Sequence, residues 1–494
     1  MSEVKTGSSK VEGAEKFSTL KRKSVRGGLV ALSSQGFTIA IQLASTVILA
    51  RLLTPEDYGT LAMVTAVTAF AGMFRDLGLS AAAIQKKGLT AEQQSNLFWL
   101  NVLMGGFVAV LVAACAPFIA RFYDKPELVG VTLVLSLNFI IVSMGAQHDA
   151  LLVRRMQFGR ISSARIAGAA SSLVVSVVCA LKGYAYWSLV WGTMTGGAIS
   201  TLLLFVLSPF RPGLPCRGSG VRALVGFGAN VTAFNFVNYF SRNLDKILIG
   251  KFVGADALGI YGRAYQLLVF PLLTLQGPIN SVAFPAMSQL DSKSSDFRSY
   301  YCDVISILAL LTMPLTAWMF ISAEEIIILF LGVEWRPVIP FFSVLAIVGF
   351  IQPVAGMRGL ILLSSGQSKR YLHQGLVCAI ITTIAFILGI SYGAIGIAWA
   401  YALTEWFLLV PLQLYAMKGT SIRFLDFVSS IRIPFLSSAF SIIIISQFDF
   451  EYGIRSLALK GVIVAAIGVV GALFSPVLRL RLFELLSRGE SEGV

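Results

Sequence analysis

Gln35-Gly36-Phe37-Thr38-Ile39-Ala40-Ile41-Gln42-Leu43-Ala44-Ser45 recurs in pattern 200 residues on as Asn235-Phe236-Val237-Asn238-Tyr239-Phe240-Ser241-Arg242-Asn243-Leu244-Asp245. Gln35, Thr38, Gln42 and Ser45 stand at i, i+3, i+7 and i+10, and Asn235, Asn238, Arg242 and Asp245 repeat those offsets. Helical spacing puts each set on one face of its helix. Both stretches sit in long apolar segments, where a lipid-facing polar stripe is costly, so each is expected to face protein or water.

The rest of the chain has the same apolar character. Of its 494 residues 56% are hydrophobic and 13% charged, against about 25% charged in soluble domains. Apolar runs of roughly 20 residues, each enough to cross a bilayer, recur from end to end. Fourteen are read, near 27–50, 58–85, 96–120, 129–150, 161–181, 184–208, 223–250, 257–287, 300–322, 338–364, 371–391, 394–417, 430–447 and 454–477. Segments 11 and 12, pinched at Ser391–Gly396, and the short segment 13 are the weak points, and twelve or thirteen spans also fit. Residues 1–26 are polar and basic and lack the short apolar region and cleavage site of a signal peptide. They read as a disordered cytoplasmic tail before a signal-anchor helix.

With the N-terminus inside, most of the 39 Lys and Arg fall in inner loops, including Lys21, Arg22, Lys23, Arg154, Arg155, Arg160, Arg211 and Arg481. Few fall outside, among them Arg51, Lys125, Lys251, Arg336 and Lys460. This bias predicts cytoplasmic N- and C-termini. It also accounts for the net charge of +14, so no nucleic-acid partner is called for. The five cysteines lack CxxC spacing, and His148 and His373 lack ligand-spaced companions, so neither a disulfide framework nor a metal site is expected. There is no GxxxxGK[ST] loop, and no soluble stretch exceeds about 30 residues. No cofactor and no catalytic residue are assigned.

The repeat extends past the stripe. Ile48–Gly59 and Leu248–Gly259 close segments 1 and 7 with a basic residue, two apolar residues, an acid and a glycine in the same order. Asp76 falls on Gln276 and Ser80 on Asn280, whereas Asn230 falls on Val30 and Asn243 on Leu43. The alternative is chance likeness between two membrane helices. A copy spacing of six segments, an even number, makes the repeats parallel. The expected organisation is a tail (1–26), a first six-helix lobe (27–210), a second (211–425) and two appended helices with the C-terminus (426–494). The linker Ser208–Pro215 marks the boundary, since its prolines cannot continue a helix. The appended helices carry few polar groups and are expected to be peripheral.

Five basic residues lie well inside spans: Arg75, Arg242, Lys246, Arg263 and Arg358; the acids at similar depth are Asp76, Asp245 and Glu405. Each charge at a helix centre costs about 2.5–3.5 kcal/mol on insertion scales. Most are therefore expected to line a cavity or pair. A basic cavity would receive an anionic phosphate or pyrophosphate headgroup. The structural alternative is that Arg242 and Lys246 snorkel or pair with Asp245, that Asp76 absorbs Arg75, and that the others sit near span ends. Polar wall positions are Gln35, Gln42, Asn235, Asn238, Gln276 and Asn280. Glu405, without an obvious intrahelical partner, Asp245 and Asp76 are candidates for coupling to a proton or Na+. Pro271, Pro278, Pro285 and Pro353 bend segments 8 and 10, either as static kinks or as hinges.

Several stretches resemble one family in order and spacing: Ile48–Gly59, Phe74–Ser80, Leu97–Val102, Ala150–Phe158, Ile247–Tyr265, Val282–Ser288 and Ser364–Gln367. They are similar to the polysaccharide-exporter (Wzx/PST) branch of the MOP flippase superfamily, with colanic-acid-type and succinoglycan-type exporters as the nearest types. The resemblance implies an all-α polytopic membrane protein with two six-helix lobes in a V, and segments 1, 2, 7 and 8 lining a central cavity. It implies a cargo of undecaprenyl-pyrophosphate-linked oligosaccharide, with Arg242 and Arg263 at the pyrophosphate. The implied setting is a bacterial inner membrane, where lipids and polysaccharide polymerase or export machinery are the neighbours. Rival readings are a peptidoglycan-precursor flippase, a multidrug exporter and a membrane glycan polymerase. Segment 1 lacks the buried carboxylates a cationic-drug exporter favours, and the longest outer loop, around Glu324–Arg336, is short for a polymerase.

Overall fold

Each of the fourteen apolar segments is helical over most of its described residues. The computed structural model describes residues 35–76, 79–80, 83, 89–216, 243–451 and 453–474. The N-terminal tail, Asn235, Asn238, Arg242 and the side chain of Asp76 lie outside the described residues.

The helices are α1 (Gln35–Ala50), α2 (Pro55–Asp76), α3 (Ala91–Tyr123), α4 (Leu128–Arg154), α5 (Phe158–Leu181) and α6 (Trp187–Leu207). They continue with α7 (243–252), α8 (Ala255–Met287), α9 (Ser295–Ile321), α10 (Ala323–Phe330), α11 (Val338–Gly356) and α12 (Arg358–Ser364). The last four are α13 (Ser368–Gly389), α14 (Gly393–Met417), α15 (Phe424–Ile445) and α16 (Ile454–Leu473). Among the described residues ten segments are long and apolar enough to cross a membrane, and one of these, Ser368–Met417, contains both α13 and α14. The chain is an all-α, multi-pass membrane protein.

It divides into two compact units, Met1–Tyr239 and Phe240–Val494. In the first, α3 packs on α4 and α5 on α6. Thr90 starts α3 with a capping box, its Oγ1 accepting from Gln93 N (3.2 Å) and its N–H donating to Gln93 Oε1 (3.3 Å). The α5–α6 pair closes on small residues: a Cβ on Gly168 would stand 2.8 Å from the Gly196 carbonyl oxygen, so only glycine allows that approach. The stretch after α6 is fastened back onto α3. Asn96 exchanges two hydrogen bonds with the Cys216 backbone (2.9 and 2.6 Å), Ser95 Oγ accepts from Gly213 N (3.0 Å) and Trp99 Nε1 donates to Gly213 O (2.9 Å).

In the second unit α9 is the centre, packed by α8, α11, α15 and α16. Its core holds Met287, Phe297, Tyr301, Ile305, Met313, Ile351, Val354 and Ile361. Pro353 deprives Gly349 of its usual donor, and the Thr316 hydroxyl, which donates chiefly to Thr312 O (2.8 Å), lies 3.4 Å from that carbonyl. The helix then breaks at Met357, whose N–H turns to Val354 O.

The last helix, α16, is joined to its neighbours by buried polar contacts. Lys460 of α16 is 9% exposed and forms an ion pair with Glu325 of α10, itself 7% exposed. Ser456 Oγ donates to the same Glu325 oxygen (3.2 Å) and Trp318 Nε1 donates to Leu457 O (3.0 Å). From sequence Lys460 is counted among the charges at the outer span ends; in the structure it and Ser456, one turn apart at i and i+4, share a face turned to Glu325. The stretch 324–336, read from sequence as an outer loop, is not open loop, since most of α10 and the buried Trp335 fall in it.

Candidate functional site

The inward charges of the second unit begin on α7. Asp245 and Lys246 are sequence neighbours, so helical geometry points them to different sides. Asp245 is buried, and Tyr261 Oη on α8, also buried, donates to its Oδ2 at 2.8 Å. Among the described residues Asp245 Oδ1 has no hydrogen-bond partner. Lys246 is half-buried. Its Nζ donates to Asn243 Oδ1 (3.2 Å) and stands 5.8 Å from the ring centroid of Tyr265. Tyr261 and Tyr265, one helical turn apart, stack with centroids 6.3 Å apart.

Arg263, on the same turn of α8, is half-buried and donates to Gln266 Oε1 (2.7 Å). Arg358 opens α12 and lies 3.9 Å from Glu405 Oε2 on α14, with both side chains largely shielded. A cation at a helix N-terminus is unfavourable, which gives Glu405 a structural reason to stand there. Glu405 thus has its partner on another helix, where sequence spacing cannot show it. Gln276 Nε2 donates to Pro353 O (3.4 Å), a carbonyl released by the break at Met357. Asn280 is half-buried on α8.

Tyr401 ties these groups together. Its hydroxyl accepts from Gln352 Nε2 (2.7 Å), and Tyr265, Asp245 and Glu405 all lie within its electrostatic reach. The second unit therefore holds two polar groupings, Asp245 and Lys246 with the tyrosines of α8 and Arg358 with Glu405, and Tyr401 of α14 lies within electrostatic reach of both acids. Tyr261, Tyr265, Tyr401 and Gln352 were missed from sequence. The available signals were two tyrosines one turn apart in segment 8, and Tyr401 one turn before Glu405.

In the first unit Gln35 and Gln42 are exposed on α1, and Arg75 is half-buried in the last turn of α2. Among the described residues no cluster of three or more His, Cys, Asp or Glu is placed to hold a metal ion. The arrangement can bind an anion by charge and hydrogen bonds, with hydroxyls and amides beside it for neutral polar groups.

Residues 48–340 match the family model described as "Polysaccharide biosynthesis protein". The teichuronic acid biosynthesis protein TuaB of Bacillus subtilis is 29% identical over 376 residues, covering 76% of this chain and 78% of that one. The lipopolysaccharide biosynthesis protein WzxC of Escherichia coli is 25% identical over 430 residues, covering 85% and 86%. The succinoglycan biosynthesis transport protein ExoT of Rhizobium meliloti is 24% identical, covering 74% of each chain. Among solved structures, the lipid II flippase MurJ in an inward closed conformation superposes with a TM-score of 0.75 at 14% identity, covering 90% of this chain and 98% of that one. An inward-facing multidrug transporter of the MATE family gives 0.59, covering 85% and 99%.

Proposed function

The chain belongs to the polysaccharide biosynthesis protein family, and from that premise we propose that it moves lipid-linked oligosaccharide repeat units across a bacterial cytoplasmic membrane by alternating access. The products are exopolysaccharide or lipopolysaccharide, and no covalent step is involved. The observation that carries this reading is the pairing pattern of the second unit. Its acids are engaged by Tyr261 and Arg358, while the described hydrogen bond of Lys246 goes to an amide oxygen, that of Asn243. An amide is a weak partner for a desolvated cation, and a pyrophosphate is a strong one. Two six-helix lobes (27–210 and 211–425), two appended helices and cytoplasmic termini complete the proposal. Gln276 and Asn280 supply sugar-compatible wall positions, together with Gln35 and Gln42 from the first lobe. Asn235, Asn238 and Arg242 join them from the sequence pattern, and Arg75 is a further basic candidate. Glu405 and Asp245, with Asp76, are the acids through which a proton or Na+ would couple. Polymerase or export machinery would receive the product.

The relatives' names support the cargo class, since TuaB, WzxC and ExoT are each named for polysaccharide biosynthesis and ExoT for its transport. The test is export in a cell whose own exporter is deleted. Combined Arg242→Ala and Arg263→Ala substitution is expected to abolish surface polysaccharide while the protein remains inserted at normal level. Undiminished export in that variant sinks the basic-site reading.

A further inference from the structure

We propose that Tyr261 and Tyr265 are positioning residues that keep the acid and the base of α7 from pairing, so that Lys246 presents an ammonium held in no salt bridge to an anionic headgroup. The inference rests on the headgroup reading above and deepens it. Asp245 and Lys246 are adjacent, and their charges are within electrostatic reach of each other. The helix starts the two side chains on different sides, but the long stem of Lys246 can swing back to the carboxylate unless other groups hold each in place. Here the Tyr261 hydroxyl donates to Asp245 Oδ2 at 2.8 Å and holds the carboxylate among α8 side chains. Lys246 turns instead to the neutral Asn243 oxygen, with the Tyr265 ring 5.8 Å away. A ring face attracts a cation without neutralising it. The two stacked tyrosines thus take one charge each: the hydroxyl of one holds the anion, and the face of the other steadies the cation.

Asp245 Oδ1 makes the arrangement sensitive to Tyr261. Among the described residues that oxygen lacks a hydrogen-bond partner. Removing the Tyr261 hydroxyl takes away the one described side-chain hydrogen bond of a buried carboxylate, a costly state. The adjacent cation that relieves it is Lys246. Once Lys246 pairs with Asp245, it is lost to the headgroup.

The experiment measures binding of farnesyl pyrophosphate to the purified full-length protein in nanodiscs, with farnesol as the uncharged control. Lys246→Gln is expected to weaken pyrophosphate binding about tenfold, the low end of what one charge-assisted hydrogen bond supplies, and to leave farnesol unchanged. Tyr261→Phe is expected to do the same, and adding it to Lys246→Gln should cost nothing further. Asp245→Asn alone should bind at least as tightly as the parent, and Tyr261→Phe with Asp245→Asn should return to within about twofold of it. A merely structural tyrosine would not be rescued by neutralising the acid. Tyr261→Phe binding like the parent, a double variant without rescue, or weaker binding by Asp245→Asn overturns the inference. Parent-like binding by Lys246→Gln instead overturns the headgroup site itself, which separates the two failures.

Discussion

The stretches Ile48–Gly59 and Leu248–Gly259 fold alike and are charged differently. Leu53 N donates to Leu49 O and Val253 N to Ile249 O, both at 2.9 Å; Tyr58 N reaches Thr54 O and Leu258 N reaches Gly254 O. Further on, the turns before α5 and α13 match as well. Met156 and Gly366 take positive φ, and Gln157 N and Gln367 N reach back to Leu152 O and Leu362 O. Yet α1 carries the uncharged Ser45 and Thr46 where α7 carries Asp245 and Lys246. Among the described residues, ion pairs with both side chains shielded occur only in the second unit, at Arg358–Glu405 and Lys460–Glu325. Those of the first unit, Lys125–Glu56 and Arg165–Asp149, lie at its surface. A repeated backbone is thus compatible with chemistry concentrated in one copy, because hydrogen bonds within the chain fix the helices whatever the side chains on their faces.

The largest effect is expected where the second unit has a buried pair and the first has none described. Lys460→Ala leaves Glu325 buried with only Ser456 as a described partner. Breaking such a pair costs on the order of 3–5 kcal/mol. The variant should lose most of its folded yield, read by fluorescence-detected size exclusion after heating. Lys460→Met with Glu325→Leu should recover most of that loss, because the desolvation cost of both charges disappears. A single variant as stable as the parent would mean that α16 is held by apolar packing and Trp318 alone.

Much of this architecture is legible in the sequence, and the reasons it stops are physical. Span positions follow from runs of apolar residues, which depend on local composition alone. The charges inside the spans are equally visible: Arg263, Lys246, Arg358 and Glu405 stand out against their neighbours. Partners are another matter. Glu405 meets Arg358 from a different helix, and Lys460 meets Glu325 across more than a hundred residues of chain. Such pairs are set by helix packing, which no single-chain periodicity encodes. Tyr261 hid for a related reason. An aromatic in an apolar run reads as core, and only the carboxylate opposite its hydroxyl gives it a second role. The linker shows the same limit, for its prolines mark where α6 ends but not that Asn96 and Trp99 tie it down as far as Cys216.

A smaller effect tests the likeness rather than the difference. Arg160 donates to Gln157 Oε1 (3.2 Å) and to the last carbonyl of α6, Leu207 O (2.9 Å). Arg370 repeats this with Gln367 and with Tyr415 O and Lys418 O at the end of α14, and adds a stack on the Tyr415 ring at 4.5 Å. Each arginine caps the C-terminus of the helix that returns beside its own, where a cation is favoured. Arg370→Ala should cost about 1.5 kcal/mol and Arg160→Ala about 1 kcal/mol, the ring contact making the difference. Apparent melting temperatures in detergent give the order. A larger loss at Arg160 would break the equivalence of the two hairpins.

The smallest effect belongs to the rim of the first unit. Lys125 sits in the turn between α3 and α4, 2.6 Å from Glu56 Oε1 and 3.4 Å from Glu127 Oε1. Partial burial by itself lowers its pKa, but the hydrogen bonds and negative charges of Glu56 and Glu127 outweigh that and hold it above the ordinary value. A raised cation pKa means the folded state holds its proton more tightly than the unfolded chain. Its contribution is therefore complete below the ordinary lysine pKa, about 10.4, and is lost as pH rises through the folded value. Glu56 is well exposed, so solvent screening limits the gain to at most about 1 kcal/mol. Lys125→Met should accordingly lower stability slightly at pH 8 and in low salt, with the difference from the parent vanishing at strongly alkaline pH. A loss as large as that of Lys460→Ala would show that the first unit also depends on a charge pair, and the contrast between the two copies would fail.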